Sequence, residues 1–160
     1  MSKLTLEVQQ AVLELARLVD LSNIRTVGFS ARLFEQSPAT TQEMRVEVDS
    51  QVQPGILPGG FIVEGEFKVT ARSIAEEPKD FLELSYRVGA VYRLPSASVP
   101  PMEVLSAFAE TNGMVHLWPY VRAYVQQACA QLAVAAIILP PFRVVPKEAT
   151  AETSAASPLP

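Results

Sequence analysis

The chain opens with apolar and polar positions arranged at helical spacing. Counted from Val8, apolar residues fall at offsets 0, 3, 4, 7, 10 and 11, and charged or amide side chains fill the other face. Thr5 stands where a helix N-cap is expected, and Glu7 in the first turn suits the positive end of the helix dipole. The pattern therefore predicts an amphipathic helix over residues 5–21.

Four strand-like runs follow between residues 24 and 94. In the second and third runs, apolar residues alternate with charged ones, which is the period of a strand with one face in water. Turn-forming proline and glycine residues separate the runs and leave short connections, so consecutive strands are predicted to pair as an antiparallel meander. The four runs are Ile24–Glu35, Gln42–Gln53, Phe61–Ile74 and Phe81–Leu94.

Helical spacing returns after the strands. Pro101 suits the first turn of a short helix, predicted over residues 101–112 and ended by Gly113. Pro119 is predicted to open a longer helix over residues 119–136, whose apolar side chains form one stripe. The fold class is therefore α+β, with a four-stranded antiparallel sheet, an N-terminal helix and two C-terminal helices packed on one face.

The last part of the chain loses this periodicity. Pro140 and Pro141 cannot continue a helix, so the stretch from Leu139 is predicted to be extended. Residues 146–160 are rich in Ala, Ser, Thr, Glu and Pro, and they cannot bury enough surface to offset the entropy of ordering. We expect one domain over residues 1–145 and a disordered tail over residues 146–160.

Composition excludes several classes of partner. The formal net charge of −4 gives no electrostatic reason to bind nucleic acid. The most apolar run, Leu132–Leu139, has eight residues, far below the roughly 20 that span a bilayer. The N-terminal stretch lacks the features of a signal peptide, so we expect a cytoplasmic location without membrane insertion. The mean hydropathy of +0.19 is high for a soluble monomer and favours self-association.

Few residues carry candidate chemistry. His116 is the only histidine and Cys129 the only cysteine, which excludes multi-histidine metal sites and disulfides within the chain. Glu64 and Glu66 share one strand face with Lys68, which favours a solvated charged surface over an acid/base pair. We therefore predict no catalytic residue, no metal and no cofactor. An enzyme or a small-ligand protein, the rival interpretation, would depend on Glu64, Glu66 and His116.

The run Leu117-Trp118-Pro119-Tyr120-Val121-Arg122 resembles the aromatic-Pro-Tyr-small-Arg motif that opens the long helix of SecB-type protein-export chaperones. The order of four strands, short helix, motif, long helix and proline-containing segment is also similar to SecB, over about Ile24 to Val145. The leading helix departs from the export chaperone. It resembles instead the SecB-like chaperones of toxin-antitoxin-chaperone systems, which bind an aggregation-prone antitoxin. The glycine-containing turn after the family's long helix is replaced here by Ala133–Ile138.

The resemblance implies an ATP-independent chaperone, assembled as a homotetramer from a dimer of dimers, that keeps unfolded or aggregation-prone polypeptides soluble. Its clients would be unfolded preproteins, delivered for export to the SecA motor, or a single antitoxin. Candidate contacts with SecA are Leu82 and Glu83. The motif residues either contact clients or only fix the helix to the sheet. The candidate client-binding residues are Phe29, Leu33, Phe34, Trp118, Tyr120 and Tyr124.

Overall fold

The computed structural model describes residues 5–34, 44–74 and 77–143, so the predicted tail over residues 146–160 lies outside the described residues. The fold is α+β, as predicted, with three helices and four antiparallel strands in this part of the chain. The elements in chain order are α1 (Leu6–Leu18), β1 (Asp20–Leu33), β2 (Met44–Leu57), β3 (Gly60–Ser73), β4 (Asp80–Arg93), α2 (Met102–Phe108), a π-helical turn (Ala109–Gly113) and α3 (Met114–Gln131).

The first helix begins where the sequence predicted and ends earlier. The Thr5 hydroxyl accepts a hydrogen bond from the Val8 N–H at 3.4 Å, which confirms the N-cap. Val19 adopts an extended conformation, with φ −83° and ψ 144°, so the helix stops at Leu18 instead of residue 21. The chain then enters β1 at Asp20, before the predicted start of that strand.

The strand order is β1-β4-β3-β2, so the predicted pairing of β1 with β2 is wrong. Strands β2, β3 and β4 do form a meander, but β1 pairs with β4, from Asp20 opposite Arg93 to Leu33 opposite Leu82. A full meander would have placed β2 inside the sheet. Pro54 has no N–H to give to a second neighbour, which confines β2 to an edge.

One face of the sheet is apolar and lies under the helices, while the other face is charged. On the charged face, the Lys68 ammonium lies 3.2 Å from the Glu83 carboxylate, in accord with the predicted solvated surface. Aromatic contacts join the apolar face to α2, because the Phe108 ring meets Phe61 at 5.4 Å and Tyr92 at 5.1 Å between centroids. The buried residues of this face are Phe61, Val63, Phe67, Val69 and Ala71 on β3 and Leu82, Leu84, Tyr86, Val88, Ala90 and Tyr92 on β4.

The two predicted C-terminal helices form one continuous helical segment. Gly113 does not end a helix, because it keeps helical dihedrals (φ −57°, ψ −48°) and joins the π-helical turn to α3. A Cβ on Gly113 would lie 2.8 Å from the Val63 side chain, so this glycine permits close approach of helix and sheet. Pro119 lies inside α3 instead of opening it. The predicted boundaries at Gly113 and Pro119 are therefore corrected.

The long helix α3 ends at Gln131 instead of residue 136, because the backbone turns at Ala133. This alanine has φ +54°, in the left-handed region that glycine normally occupies at a helix end. Its N–H donates to the Ala130 carbonyl at 3.2 Å, and the Val134 N–H donates to the Cys129 carbonyl at 3.1 Å. These two bonds form a Schellman motif, so the turn that glycine makes in the SecB family is made here by alanine.

One polar contact joins the side chains of α3 and β4. The Tyr92 hydroxyl and the His116 Nδ1 atom lie 2.8 Å apart. Burial lowers the pKa of the His116 imidazole and raises that of the Tyr92 phenol, so both side chains favour their neutral forms.

Among the helices within the described ranges, none combines the length and the apolar character needed to cross a membrane.

We expect the substitution Ala133→Gly to raise the free energy of unfolding by about 1 kcal/mol, because glycine removes the left-handed strain at this turn. Ala123→Gly is the matched control. Ala123 is exposed within α3, where the same change should lower the free energy of unfolding by about 1 kcal/mol. Urea unfolding of both variants measures the difference, and an Ala133→Gly variant no more stable than wild type would contradict the assignment.

The His116 contact predicts a loss of stability on acidification. The folded state holds the pKa of His116 below the unfolded value near 6.5, so its contribution is present above that pH and declines as pH falls towards the folded pKa. His116→Gln keeps a hydrogen-bonding group but does not titrate. We expect urea unfolding between about pH 8 and 5 to show a smaller decline for the variant than for wild type. Equal declines would exclude His116 as the cause.

Candidate functional site

The most exposed apolar surface of the sheet lies on β1. The helix-facing side of β3 and β4 is buried, but on the same side of β1 Phe29 is 70% exposed, Leu33 45% and Leu21 42%. Ile24 is half-buried between them. We name Leu21, Ile24, Phe29 and Leu33 the β1 strip. It is an apolar surface at an edge of the sheet that the helices of the described chain leave open.

Two β-bulges place these residues on one face. The register with β4 shifts between Leu21 and Asn23 and again between Thr26 and Gly28, so β1 holds two extra residues. Without the shifts, Leu21 and Phe29 would not lie on the same side as Ile24, since side chains alternate along a strand. The sequence of β1 therefore does not show a simple apolar–polar alternation, although its structure places these four apolar residues on one side, together with Thr26.

Tyr124 joins the β1 strip to α3, so two of the candidate client-binding residues, Phe29 and Tyr124, are in contact. Its ring stacks on Tyr86 at 4.5 Å between centroids and meets the Phe29 ring at 5.9 Å. Its hydroxyl donates a hydrogen bond to the Ser30 carbonyl at 2.8 Å, and burial raises the pKa of the phenol. Phe29 is thus packed on one side against Tyr124 and open on the other, which is the geometry of a preformed apolar contact site.

Tyr120 extends this aromatic face of α3. It is 45% exposed and lies one helical turn before Tyr124, on the same side of the helix. The tyrosine pair and the β1 strip together form an open surface with both aromatic and aliphatic side chains. This surface includes four of the six predicted client-binding residues.

Phe34 does not belong to that surface. Leu33 lies opposite Leu82 on the helix-facing side, and the alternation of side chains turns the next residue to the charged side. There the Arg32 guanidinium carbon lies 5.3 Å from the centre of the Phe34 ring. The prediction that grouped Phe34 with Leu33 missed this division, because sequence proximity does not define the face of the sheet.

Trp118 has a different set of contacts from the tyrosines. Its ring lies between Phe67 of the sheet and Phe142 of the C-terminal segment, with centroid distances of 6.2 and 6.0 Å. Its Nε1 donates a hydrogen bond to the Pro140 carbonyl at 2.7 Å. Trp118 is therefore already engaged by the chain's own C-terminal segment and lies apart from the contacts of Phe29 and Tyr124.

Three further motif residues contact the core or the C-terminal segment. Leu117 and Val121 are fully buried in the core between α3 and the sheet. Arg122 donates a hydrogen bond from Nε to the Leu139 carbonyl at 2.9 Å. The motif therefore both fixes α3 to the sheet and holds the C-terminal segment.

The structure does not support two other predicted groupings. Leu82 is fully buried beneath the helices, so its side chain is not available to SecA, and that candidate contact is corrected. Glu83 lies on the charged face beside Lys68. Glu64 and Glu66 share this face, whereas His116 bonds Tyr92 on the opposite face, so the polar cluster of the rival interpretation is not formed.

No protein-family model and no curated protein matches the sequence. Among solved structures, the chain is similar to the Mycobacterium tuberculosis SecB-like chaperone Rv1957, determined in complex with a ChAD peptide from the Rv1956 HigA1 antitoxin. The TM-score is 0.76 at 21% identity, covering 86% of this chain and 99% of that chain. A Streptococcus agalactiae protein of unknown function aligns with a TM-score of 0.41 at 10% identity, over 76% and 96% of the two chains. The chain therefore has the fold of the SecB-like chaperones, which confirms the fold that the sequence resemblance implied.

Proposed function

We propose that the chain is an ATP-independent chaperone that binds exposed apolar segments of unfolded or aggregation-prone polypeptides. The observation that carries the proposal is the position of Phe29, which is 70% exposed while its ring is packed against Tyr124. An apolar side chain from another polypeptide has an open contact surface there. The SecB-like fold supports the same function.

One such surface is too weak to hold a client by itself. Burying about 150 Å² at roughly 25 cal/mol/Å² yields about 4 kcal/mol, which corresponds to millimolar affinity before the costs of ordering. Several linked copies raise the effective concentration of successive client segments. We therefore propose a homotetramer, built as a dimer of dimers and acting in the cytoplasm, in which one client contacts more than one β1 strip.

The clients favoured by this surface are uncharged, apolar segments. The β1 strip consists of aliphatic and aromatic side chains, and it offers no charge to select an ionic partner. Selection would then depend on exposure of apolar residues more than on a particular sequence. Unfolded preproteins destined for export satisfy this requirement, but delivery to SecA would have to use Glu83 or other surface groups without Leu82.

A dedicated antitoxin chaperone is the narrower version of the same function. The similar M. tuberculosis structure holds a peptide from an antitoxin, and this comparison supports an antitoxin as a client class. The helix α1 before the first strand adds support, because the sequence resemblance associated it with the toxin-antitoxin branch. A pull-down that yields one antitoxin and no general set of unfolded chains would favour the dedicated role.

We expect Phe29→Ser to weaken binding of a reduced, unfolded client about tenfold, since loss of an aromatic contact of roughly 1.4 kcal/mol corresponds to that factor. Leu33→Ser, on the same strip, should also weaken binding. Phe34→Ser is the matched control, because this ring is 50% exposed but lies on the charged side of the sheet. Fluorescence anisotropy with a labelled client measures the affinities, and circular dichroism verifies that each variant is folded. Unchanged affinity of the Phe29→Ser variant, or equal losses in both phenylalanine variants, would contradict the proposed surface.

Light scattering tests the assembly directly. We expect the purified protein to have a mass of about four chains and to form a larger soluble complex as unfolded client is added. A monomer that takes up no client would contradict the chaperone function itself. A tetramer that binds an antitoxin peptide but no unfolded client would replace the general role with the dedicated one.

A further inference from the structure

The C-terminal segment Leu139–Phe142 is held on α3 through its main chain. Trp118 Nε1 donates to the Pro140 carbonyl at 2.7 Å, and Arg122 Nε donates to the Leu139 carbonyl at 2.9 Å. The two donors are four residues apart and therefore adjacent on one side of the helix. We name Trp118 and Arg122 the carbonyl clamp, since together they bind two consecutive carbonyl oxygens.

This mode of binding does not depend on the side chains of the bound residues. Every peptide unit has a carbonyl, and Pro140 and Pro141 have no N–H to offer, so the clamp uses only acceptors. Side chains contribute at the two ends of the segment. Leu139 is buried at one end, and Phe142 packs on Trp118 at the other with 6.0 Å between ring centroids.

A cavity of about 800 Å³ adjoins this segment, and Phe142 and Arg143 form part of its wall. Across the sheet it is lined by Val52, Gly65 and Val88, which lie opposite one another on three neighbouring strands. The cavity has room beside Phe142 for a side chain from another polypeptide.

We propose that the carbonyl clamp is a second polypeptide-binding site, occupied in the free protein by the chain's own Leu139–Phe142. Its ligand is an extended client segment with two apolar side chains three positions apart and accessible carbonyls between them. Such a segment replaces Leu139 and Phe142 in their contacts and accepts the same two hydrogen bonds. The inference rests on the proposed function and adds a competition between the client and the chain's own segment.

Competition lowers the apparent affinity of the clamp for any ligand. When the site is open for only a fraction of the time, the apparent dissociation constant is the intrinsic constant divided by that fraction. Weakening the docked segment without altering the clamp should therefore tighten binding of a ligand in trans. This increase distinguishes a competing segment from a segment that only completes the core.

The test uses the full-length protein and a peptide with the sequence of residues 137–143, which contains no tryptophan. Trp118 is the only tryptophan of the chain and lies in the clamp, so its emission reports occupancy there. We expect Phe142→Ala to bind the peptide roughly tenfold more tightly than wild type, with a change in emission. Ile138→Ala is the control, since this residue lies in the same part of the chain but is 73% exposed and should leave affinity unchanged.

A second substitution tests the clamp itself. Arg122→Met keeps an unbranched apolar chain and removes the donor to the Leu139 carbonyl. When it is combined with Phe142→Ala, Arg122→Met should abolish most of the increase in peptide affinity that Phe142→Ala causes alone. Phe142→Leu, a smaller change in the folded core, should show a partial increase, and it serves as the measurement if the alanine variant does not fold.

Equal peptide affinities for wild type, Ile138→Ala and the folded Phe142 variants would overturn the inference. This failure is distinct from failure of the proposed function. A client whose affinity depends on Phe29 but not on Phe142 would support the β1 strip as a client-binding surface and exclude the clamp as one. If the peptide binds the clamp but the protein takes up no unfolded client, the clamp is supported and the proposed chaperone function is contradicted.

Discussion

The width of an α-helix relative to the spacing of strands determines which parts of this sheet are covered. A helix with its side chains is about 10 Å wide, and neighbouring strands lie about 4.8 Å apart, so one helix covers roughly two strands. The helix α3 contacts β3 and β4, whose inward faces are buried. The π-helical turn and α2 contact β2 on one side. The edge strand β1, on the other side, retains apolar residues that the described helices do not bury, and this is the physical origin of the β1 strip.

Close approach of the helical segment to the sheet depends on two glycines. Gly113 brings the helix backbone against Val63, and a Cβ at Gly65 would lie 2.9 Å from the Leu117 side chain. In both places a larger residue would push the helix away from the strands and loosen the stacked aromatic core beneath it. The helical segment continues through Gly113, so this glycine lies against β3 without ending the helix. A glycine inside a helical pattern therefore has two meanings, a stop or a close contact, and only packing decides between them.

The sequence predicted α1, the four strands and the α+β class because their periodic patterns are local. It did not predict what depends on distant partners. The place of β1 beside β4 is consistent with Pro54, whose missing N–H confines β2 to an edge, and this constraint does not appear in the alternation of apolar and polar residues. Two of the candidate residues, Phe29 and Tyr124, do lie in contact, with 5.9 Å between their ring centroids. Phe34 and Leu82 were misplaced, because one residue of register decides whether a strand side chain is buried, and bulges such as those of β1 alter that register.

The motif at the start of α3 assigns its residues to separate tasks by helical geometry. At about 100° per residue, Trp118 and Arg122 lie on one flank of the helix, and Tyr120 and Tyr124 lie roughly 200° away on the other. Leu117 and Val121 face the sheet between the two flanks and are fully buried. The motif thus anchors the helix with one pair, holds the C-terminal segment with the second and presents an aromatic face beside β1 with the third. The structural role of this motif and its proposed client-binding role are therefore compatible, because they concern different faces of the same two helical turns.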